Sequence, residues 1–514
     1  MRLKNSLRNV KTAWLFQFVH ILCQLAVRTV IIKVLTIEYV GLSGLFSNIL
    51  TMLSVAELGI GEAIIFSLYE PIATDNKKVI NSIMKFYQKV YVGVGIFIII
   101  AGFAITPYLS FFIKDMPKDI PNIGFIYMLY VANTAISYFF SYKATFVTAT
   151  QNNYIVVLNE GITEVLMVVM QIVALIYTHN FILFLAIGIA FVLIRNISIT
   201  IIANRKYPYI KEHSESKIPT DIFNGILKNT GAMVIHKIGS VVVFATDNLI
   251  LSKFVGLVSV GIYTNYCVIT NAINVFLRKF FNGVTASVGN LAAIEDIEKQ
   301  EKAFDKLNFL NFWLYSFCGS CLFGLLNPFI GEIWLGKEYL FDKWTVLAIV
   351  ISFYITGMRC SVQTFKGAKG LYWQNKFMPI AESIINLVVS IILVKKIGVI
   401  GVIIGTIISS LCTCVWIEPR VLYRDGFNKS PKVYYWKYTK HFVIFMIMIL
   451  LTYICNMVIT ANGILVFILR CLICAIIPNM IIVLLYRRTG EYEYLKTTLM
   501  TMVPSNKKIF KKEK

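Results

Sequence analysis

The feature that most restricts this chain is the recurrence of apolar runs long enough to cross a bilayer. Residues 181–203 read FILFLAIGIAFVLIRNISITIIA and carry one charged side chain, Arg195. A spanning helix needs about 20 such residues, because the hydrocarbon core is about 30 Å thick and each helical residue rises about 1.5 Å. About fourteen runs reach that length: residues 12–35, 40–67, 82–106, 120–147, 154–177, 181–203, 230–254, 258–284, 307–330, 344–365, 373–394, 399–422, 441–460 and 464–486. With 57% apolar and only 15% charged residues, little chain is left for a separate soluble domain. The expected fold is an all-α polytopic membrane protein of about 14 transmembrane helices, since helices satisfy their own backbone groups in lipid.

Lysines and arginines exceed acidic residues 49 to 27, a formal charge of +22. They collect in alternate connections: Arg2, Lys4, Arg8 and Lys11; Lys77 and Lys78; Arg205, Lys206, Lys211 and Lys217; Lys366 and Lys369; Arg420, Arg424, Lys429, Lys432, Lys437 and Lys440; and Arg487, Arg488 and the tail from Lys507. The opposite connections are balanced, as at Lys114-Asp115 and Lys118-Asp119, or uncharged, as at 178–180 and 461–462. By the positive-inside rule the basic set, including 204–229, 426–440 and both termini, is expected in the cytoplasm. Orientation and contact with anionic membrane lipids therefore explain the charge, and no nucleic-acid partner is expected. The basic N-terminus mimics a secretory signal, but no small-residue cleavage site follows and the run contains Arg28, so it is expected to remain as the first span.

One element occurs twice. RTVIIKVLTIEYVGLSGLFSN, residues 28–48, matches TDNLILSKFVGLVSVGIYTNY, residues 246–266, with Lys33 set against Lys253 and Gly44 to Asn48 against Gly261 to Asn265. Each copy is expected to end one apolar helix, pass a glycine-containing turn and begin another. Both helices that end there start from the cytoplasm, so the repeat is parallel, about an axis along the membrane normal, a plan common among secondary transporters. The expected organisation is a six-helix lobe over 1–204, a cytoplasmic linker with a candidate interfacial helix over 205–229, and a second six-helix lobe over 230–424. Two additional helices and a basic tail follow over 425–514.

Several spans carry polar stripes at helical spacing. His20, Gln24 and Arg28 share a face with Gln17; His236, Ser240 and Asp247 share another; Asn271, Asn274 and Arg278 lie on a third with Thr264, Asn282 and Thr285. Arg359 and Gln363 share one with Ser352 and Thr356. Residues 153–171 offer Asn153, Glu160, Glu164 and Gln171, and residues 382–390 offer Glu382, Asn386 and Ser390. An ionised group at a helix centre costs about 2.5–3.5 kcal/mol, so these faces are expected to turn toward one another. Helix–helix hydrogen bonding would explain any one of them; aligned stripes on several helices favour a shared aqueous cavity. His20, Gln24, Arg28, Asn271, Asn274, Arg278, Arg359 and Gln363 are the candidate substrate-binding residues, because guanidinium groups pair with phosphate and amides with sugar hydroxyls. Asp247, Glu57 and His236 are candidates for ion coupling or gating, the alternative for each carboxylate being a buried ion pair with a neighbouring cation.

Catalytic chemistry has no motif to rest on: no phosphate-cradling glycine loop with its lysine, no nucleophile elbow and no HExxH spacing occur. Ten cysteines fall inside apolar runs without histidine partners, which makes them small hydrophobes and leaves no metal site. A transporter is expected, with no cofactor.

The segments Gly41-Leu42-Ser43-Gly44-Leu45-Phe46-Ser47-Asn48, Ala56-Glu57-Leu58-Gly59-Ile60-Gly61 and Leu68-Tyr69-Glu70-Pro71, with Lys237-Ile238-Gly239, Thr246-Asp247-Asn248 and Val260-Gly261-Ile262-Tyr263-Thr264-Asn265-Tyr266 in the second half, resemble bacterial polysaccharide transporters of the Wzx type. These O-antigen and capsule repeat-unit flippases belong to the multidrug/oligosaccharidyl-lipid/polysaccharide (MOP) exporter superfamily. The resemblance implies two V-shaped six-helix lobes of the MATE type and alternating access. It also implies movement of an undecaprenyl-pyrophosphate-linked oligosaccharide from the inner to the outer leaflet of the bacterial cytoplasmic membrane. The partners it suggests are that anionic lipid-linked substrate, a coupling ion (H+ or Na+) and polysaccharide assembly proteins. Alternatives are another exporter of the superfamily, a drug/cation antiporter or a peptidoglycan lipid-precursor flippase, and, from a different class, a membrane polysaccharide polymerase or ligase.

Overall fold

The computed structural model describes residues 2–57, 60–211, 218–220, 222–223, 226, 241, 245–371, 373–459, 461 and 463–502. Among them every regular element is helical, and twelve helices are long and apolar enough to cross a membrane. The two further runs expected from the sequence have specific fates. Run 40–67 is divided into α2 (Ile37–Leu53), a 3-10 turn at Ser54–Glu57 and α3 (Ile60–Ala73), so neither piece spans alone. Run 230–254 lies outside the described residues up to 240, and residues 245–254 are helical.

Helix starts follow local chemistry. The Asn180 side chain accepts the backbone N–H groups of Ile182 and Leu183, and that of Asp342 those of Trp344 and Thr345, which satisfies donors a helix N-terminus leaves open. Proline has the converse effect. After Pro328 and Pro419 the chain passes into π-helical turns, Phe329–Trp334 and Leu422–Phe427, where a missing N–H and a crowded carbonyl loosen the α ladder.

The described chain forms two compact units, residues 1–268 with 379–402, and residues 269–378 with 403–514. The division falls inside one long helix, whereas the sequence repeat divides the chain at 205–229. In the first unit α1 (Arg2–Val34) packs on α6 (Asn153–Thr178), while α4 (Lys77–Ile105) packs on α5 (Ile123–Ala149) and α5 on α7 (Phe181–Lys206). Ile64, Leu68, Ile83, Tyr87 and Phe146 form one apolar cluster there; Ile250, Leu251, Val260, Val394 and Val402 form another.

The two copies of the repeat pack on each other inside this unit. The first copy turns at Leu35-Thr36, which leaves Gly41 and Gly44 within α2 rather than in the turn. The second turns at Gly256, whose φ of +122° suits only glycine, and then begins α8 (Leu257–Ile294). A Cβ on Gly41 would stand 2.2 Å from the Leu257 carbonyl oxygen, and one on Gly261 would stand 2.6 Å from that of Ile37. Asn48 donates to the Ala245 carbonyl (3.2 Å) and Asn248 to that of Gly44 (3.5 Å).

The second unit is built around α9 (Ile297–Pro328), which packs on α10 (Lys343–Ala368), α14 (Lys432–Met457) and α15 (Ile464–Tyr486). Tyr315 closes on Gly357, where a Cβ would fall 1.9 Å from its ring, and Phe445 closes on Gly319. The last helix pair is therefore part of this unit's core. Between α10 and α14 run α11 (Met378–Ile397), α12 (Val399–Cys412) and α13 (Cys414–Val421), with α11 contributing to the first unit.

Candidate functional site

On α1, Gly161 of α6 lets Phe16 approach so closely that any Cβ there would overlap its ring. That approach sets His20 Nδ1 2.5 Å from Glu164 Oε1, and Gln24 Nε2 lies 2.8 Å from His20 Nε2. An Nδ1–H donating to the carboxylate and an Nε2 accepting from the amide suit a neutral imidazole held in place. One turn further, Arg28 leaves this chain of partners: Nη1 donates to Thr264 Oγ1 at 3.1 Å and to Asn265 Oδ1 at 3.0 Å. Both acceptors belong to the second copy of the repeat. The adjacent Tyr263 interacts electrostatically with Asp247, which is 7% exposed. Three consecutive residues of α8 thus face the two charges that the repeat places at nearly equivalent positions.

Glu57 stands at the end of the 3-10 turn that interrupts the second apolar run. Its carboxylate accepts the hydroxyls of Tyr91 and Tyr138. It opens on a cavity of about 310 Å³ within the first unit, lined also by Ser137, Asn159, Glu160 and Arg195. His236 lies outside the described residues.

The second unit holds the remaining candidates. On α8, Asn271 is exposed, and Asn274 and Arg278 are half-buried. Arg278 acts electrostatically on Tyr315 and Cys360 and has no carboxylate partner among the described residues. Arg359 differs. Its Nε donates to Glu418 Oε2 at 3.0 Å and its Nη2 to Oε1 at 3.2 Å, while Gln363 Nε2 donates to the same Oε1 at 3.2 Å and Lys366 Nζ lies 3.5 Å away. Arg359 and Gln363, placed by the sequence on a substrate face, both turn to this buried carboxylate. In the fork geometry that a phosphate would use, Glu418 already occupies two of the Arg359 donors.

No family model matches the chain, and no curated protein matches it. Solved structures do. The lipid II flippase MurJ in an inward closed conformation aligns with a TM-score of 0.65 at 14% identity, over 93% of this chain and 98% of that one. An inward-facing MATE multidrug resistance transporter of the MOP superfamily aligns with 0.62 at 15% identity, over 80% and 96%. A MOP superfamily transporter from Pyrococcus furiosus aligns with 0.57 at 14% identity, over 84% and 97%. The fold is that of the MOP-superfamily transporters. Within this MOP fold the flippase covers more of the chain than either of the other two.

Several residues of this MOP-type scaffold escaped the stripe reading. Glu418 sits beside Pro419 near the end of an apolar run and reads as a helix-end charge; Tyr91 and Tyr138 read as ordinary apolar bulk. The signal that could have found Glu418 is the excess of cations on one face of α10, Arg359 and Lys366, which burial obliges to meet an anion.

Proposed function

We propose that the chain is a flippase for an undecaprenyl-pyrophosphate-linked oligosaccharide of surface polysaccharide synthesis. It works by alternating access in the bacterial cytoplasmic membrane, with both termini inside. The observation that carries this reading is Arg278, a half-buried guanidinium in a spanning helix without a carboxylate partner among the described residues, with Asn274 and Asn271 one and two turns away on the same face. A half-buried cation within a span calls for an external anion. A pyrophosphate supplies paired acceptors to a guanidinium, and amides suit the hydroxyls of an attached sugar. The MOP fold, the extent of the likeness to a lipid-linked-precursor flippase and the resemblance of GLSGLFSN and VGIYTN to Wzx-type transporters support it. A cationic drug would be repelled by the same arginine. Glu57, with its two tyrosine partners and its polar cavity, is the candidate coupling site for H+ or Na+.

The test is binding of a short-chain prenyl-pyrophosphate glycan to the purified protein, with glycan flipping in proteoliposomes. A charge-assisted hydrogen bond is worth about 1.5–3 kcal/mol, so Arg278→Ala is expected to weaken binding by about ten- to a hundredfold and Arg278→Lys less. Normal binding by folded Arg278→Ala protein would overturn the assignment.

A further inference from the structure

A second cavity lies wholly inside the second unit, where α9 ends and α14 turns into α15. It measures about 340 Å³ and has a polar floor and a cationic mouth. On the floor, Arg470 is buried and gives Nη1 to Glu332 Oε1 at 2.7 Å and Nη2 to the carbonyls of Ile459 and Ala461, each at 3.2 Å. This ion pair neutralises Glu332 and leaves its other oxygen, Oε2, buried without a hydrogen-bond partner among the described residues. Asn456, 9% exposed, gives its Nδ2 to Cys474 Sγ, and its Oδ1 is likewise buried without such a partner. Among the described residues, then, neither acceptor has a donor, and each is a costly group to bury unmade. At the mouth stand Lys337 and Lys343, both exposed. Two other carboxylates near these lysines do not line the cavity: Asp342 caps α10, and Glu338 folds toward Gly336.

We propose that this cavity binds a phosphodiester whose tip carries hydrogen-bond donors, the phosphate meeting Lys337 and Lys343 and the donors reaching Glu332 Oε2 and Asn456 Oδ1. A simple metal cation would satisfy the floor acceptors but would face three cationic side chains, Lys337, Lys343 and Arg470. A simple anion would satisfy the lysines and leave the floor unmet. Both halves are satisfied by the head group of phosphatidylglycerol, and equally by free glycerophosphoglycerol. Because α14 and α15 build one wall, the inference also gives the helix pair appended to the two six-helix repeats a role in holding a membrane lipid. It does not depend on which substrate is flipped.

Native mass spectrometry of the full chain decides it, with phosphatidylglycerol, phosphatidylcholine and soluble glycerophosphoglycerol as probes. Phosphatidylcholine has the same phosphodiester but no donor at its tip. Phosphatidylglycerol is expected to be retained at least tenfold more tightly than phosphatidylcholine. Lys337→Gln and Lys343→Gln, at exposed positions that folding does not need, are expected to weaken its retention about fivefold each, the scale of one lysine near a membrane phosphate. Asn456→Leu is expected to narrow the preference between the two lipids. Displacement of the lipid by glycerophosphoglycerol supports the same chemistry, and binding of that soluble compound without lipid retention assigns the site to a free ligand. Equal retention of both lipids, or unchanged phosphatidylglycerol retention in the double lysine variant, would overturn the proposal.

Discussion

Glu418 organises more of the second unit than any candidate that helical periodicity picked out. It is 2% exposed and takes donors from Arg359, Gln363 and Lys366, of which Lys366 is 4% exposed. A buried ion pair contributes little relative to an apolar substitute, but removal of one partner strands the other, at about 3–5 kcal/mol. Glu418→Gln keeps the shape and removes the charge, so it is expected to lower thermal stability in detergent markedly, and Arg359→Gln added to it is expected to restore part of the loss. Unchanged melting of the single variant would show that Arg359 and Lys366 find other compensation. At this scale the candidate site was half legible. Polar positions could be read from spacing, as for Arg28 and Gln24, but Arg359 found a partner 59 residues away that its own helix does not reveal.

Between elements, the glycines decide which helices can meet. Gly41 and Gly261 bring α2 and α8 so close that backbone carbonyls occupy the space of a side chain. In lipid, where apolar surface gains little by leaving the solvent, such close packing carries much of the association. Gly41→Ala is expected to cost about 1–3 kcal/mol, the range for overpacking, because the obstructing atom is a backbone oxygen that cannot rotate away. Gly93→Ala on α4, where nothing lies within 4 Å of the added Cβ, is the matched control and is expected to be neutral or mildly stabilising. The fraction of folded protein that survives heating, compared between the two, checks the claim; equal survival would mean that α2 and α8 separate without cost. The sequence matched GLFSN to GIYTN and led to the expectation of a glycine-containing turn in each copy. That the copies would be each other's partners depends on how the helices between them fold back.

For the whole molecule, orientation is the property with the plainest test. In a variant without native cysteines, a cysteine at Ser430, in the basic connection before α14, is expected to react with an impermeant reagent only after the cells are opened. One at Gly463, between α14 and α15, is expected to react from outside. The reverse pattern would invert the proposed direction of transport. The sequence by itself determined the class of the protein, because about 20 apolar residues crossing lipid have one common way to satisfy their backbone; the charge in alternate connections gives the expected order of the spans, which the labelling tests. It also contained the repeat and the polar faces. Only the tertiary structure decided which polar faces meet: Arg28 reaches Asn265 across 237 residues, Glu418 takes Arg359, and Arg470 pairs with Glu332 to build a cavity no stripe suggested. Periodicity reports the face on which a residue lies, whereas hydrogen bonds and ion pairs depend on separations of a few ångströms set by the packing of distant helices.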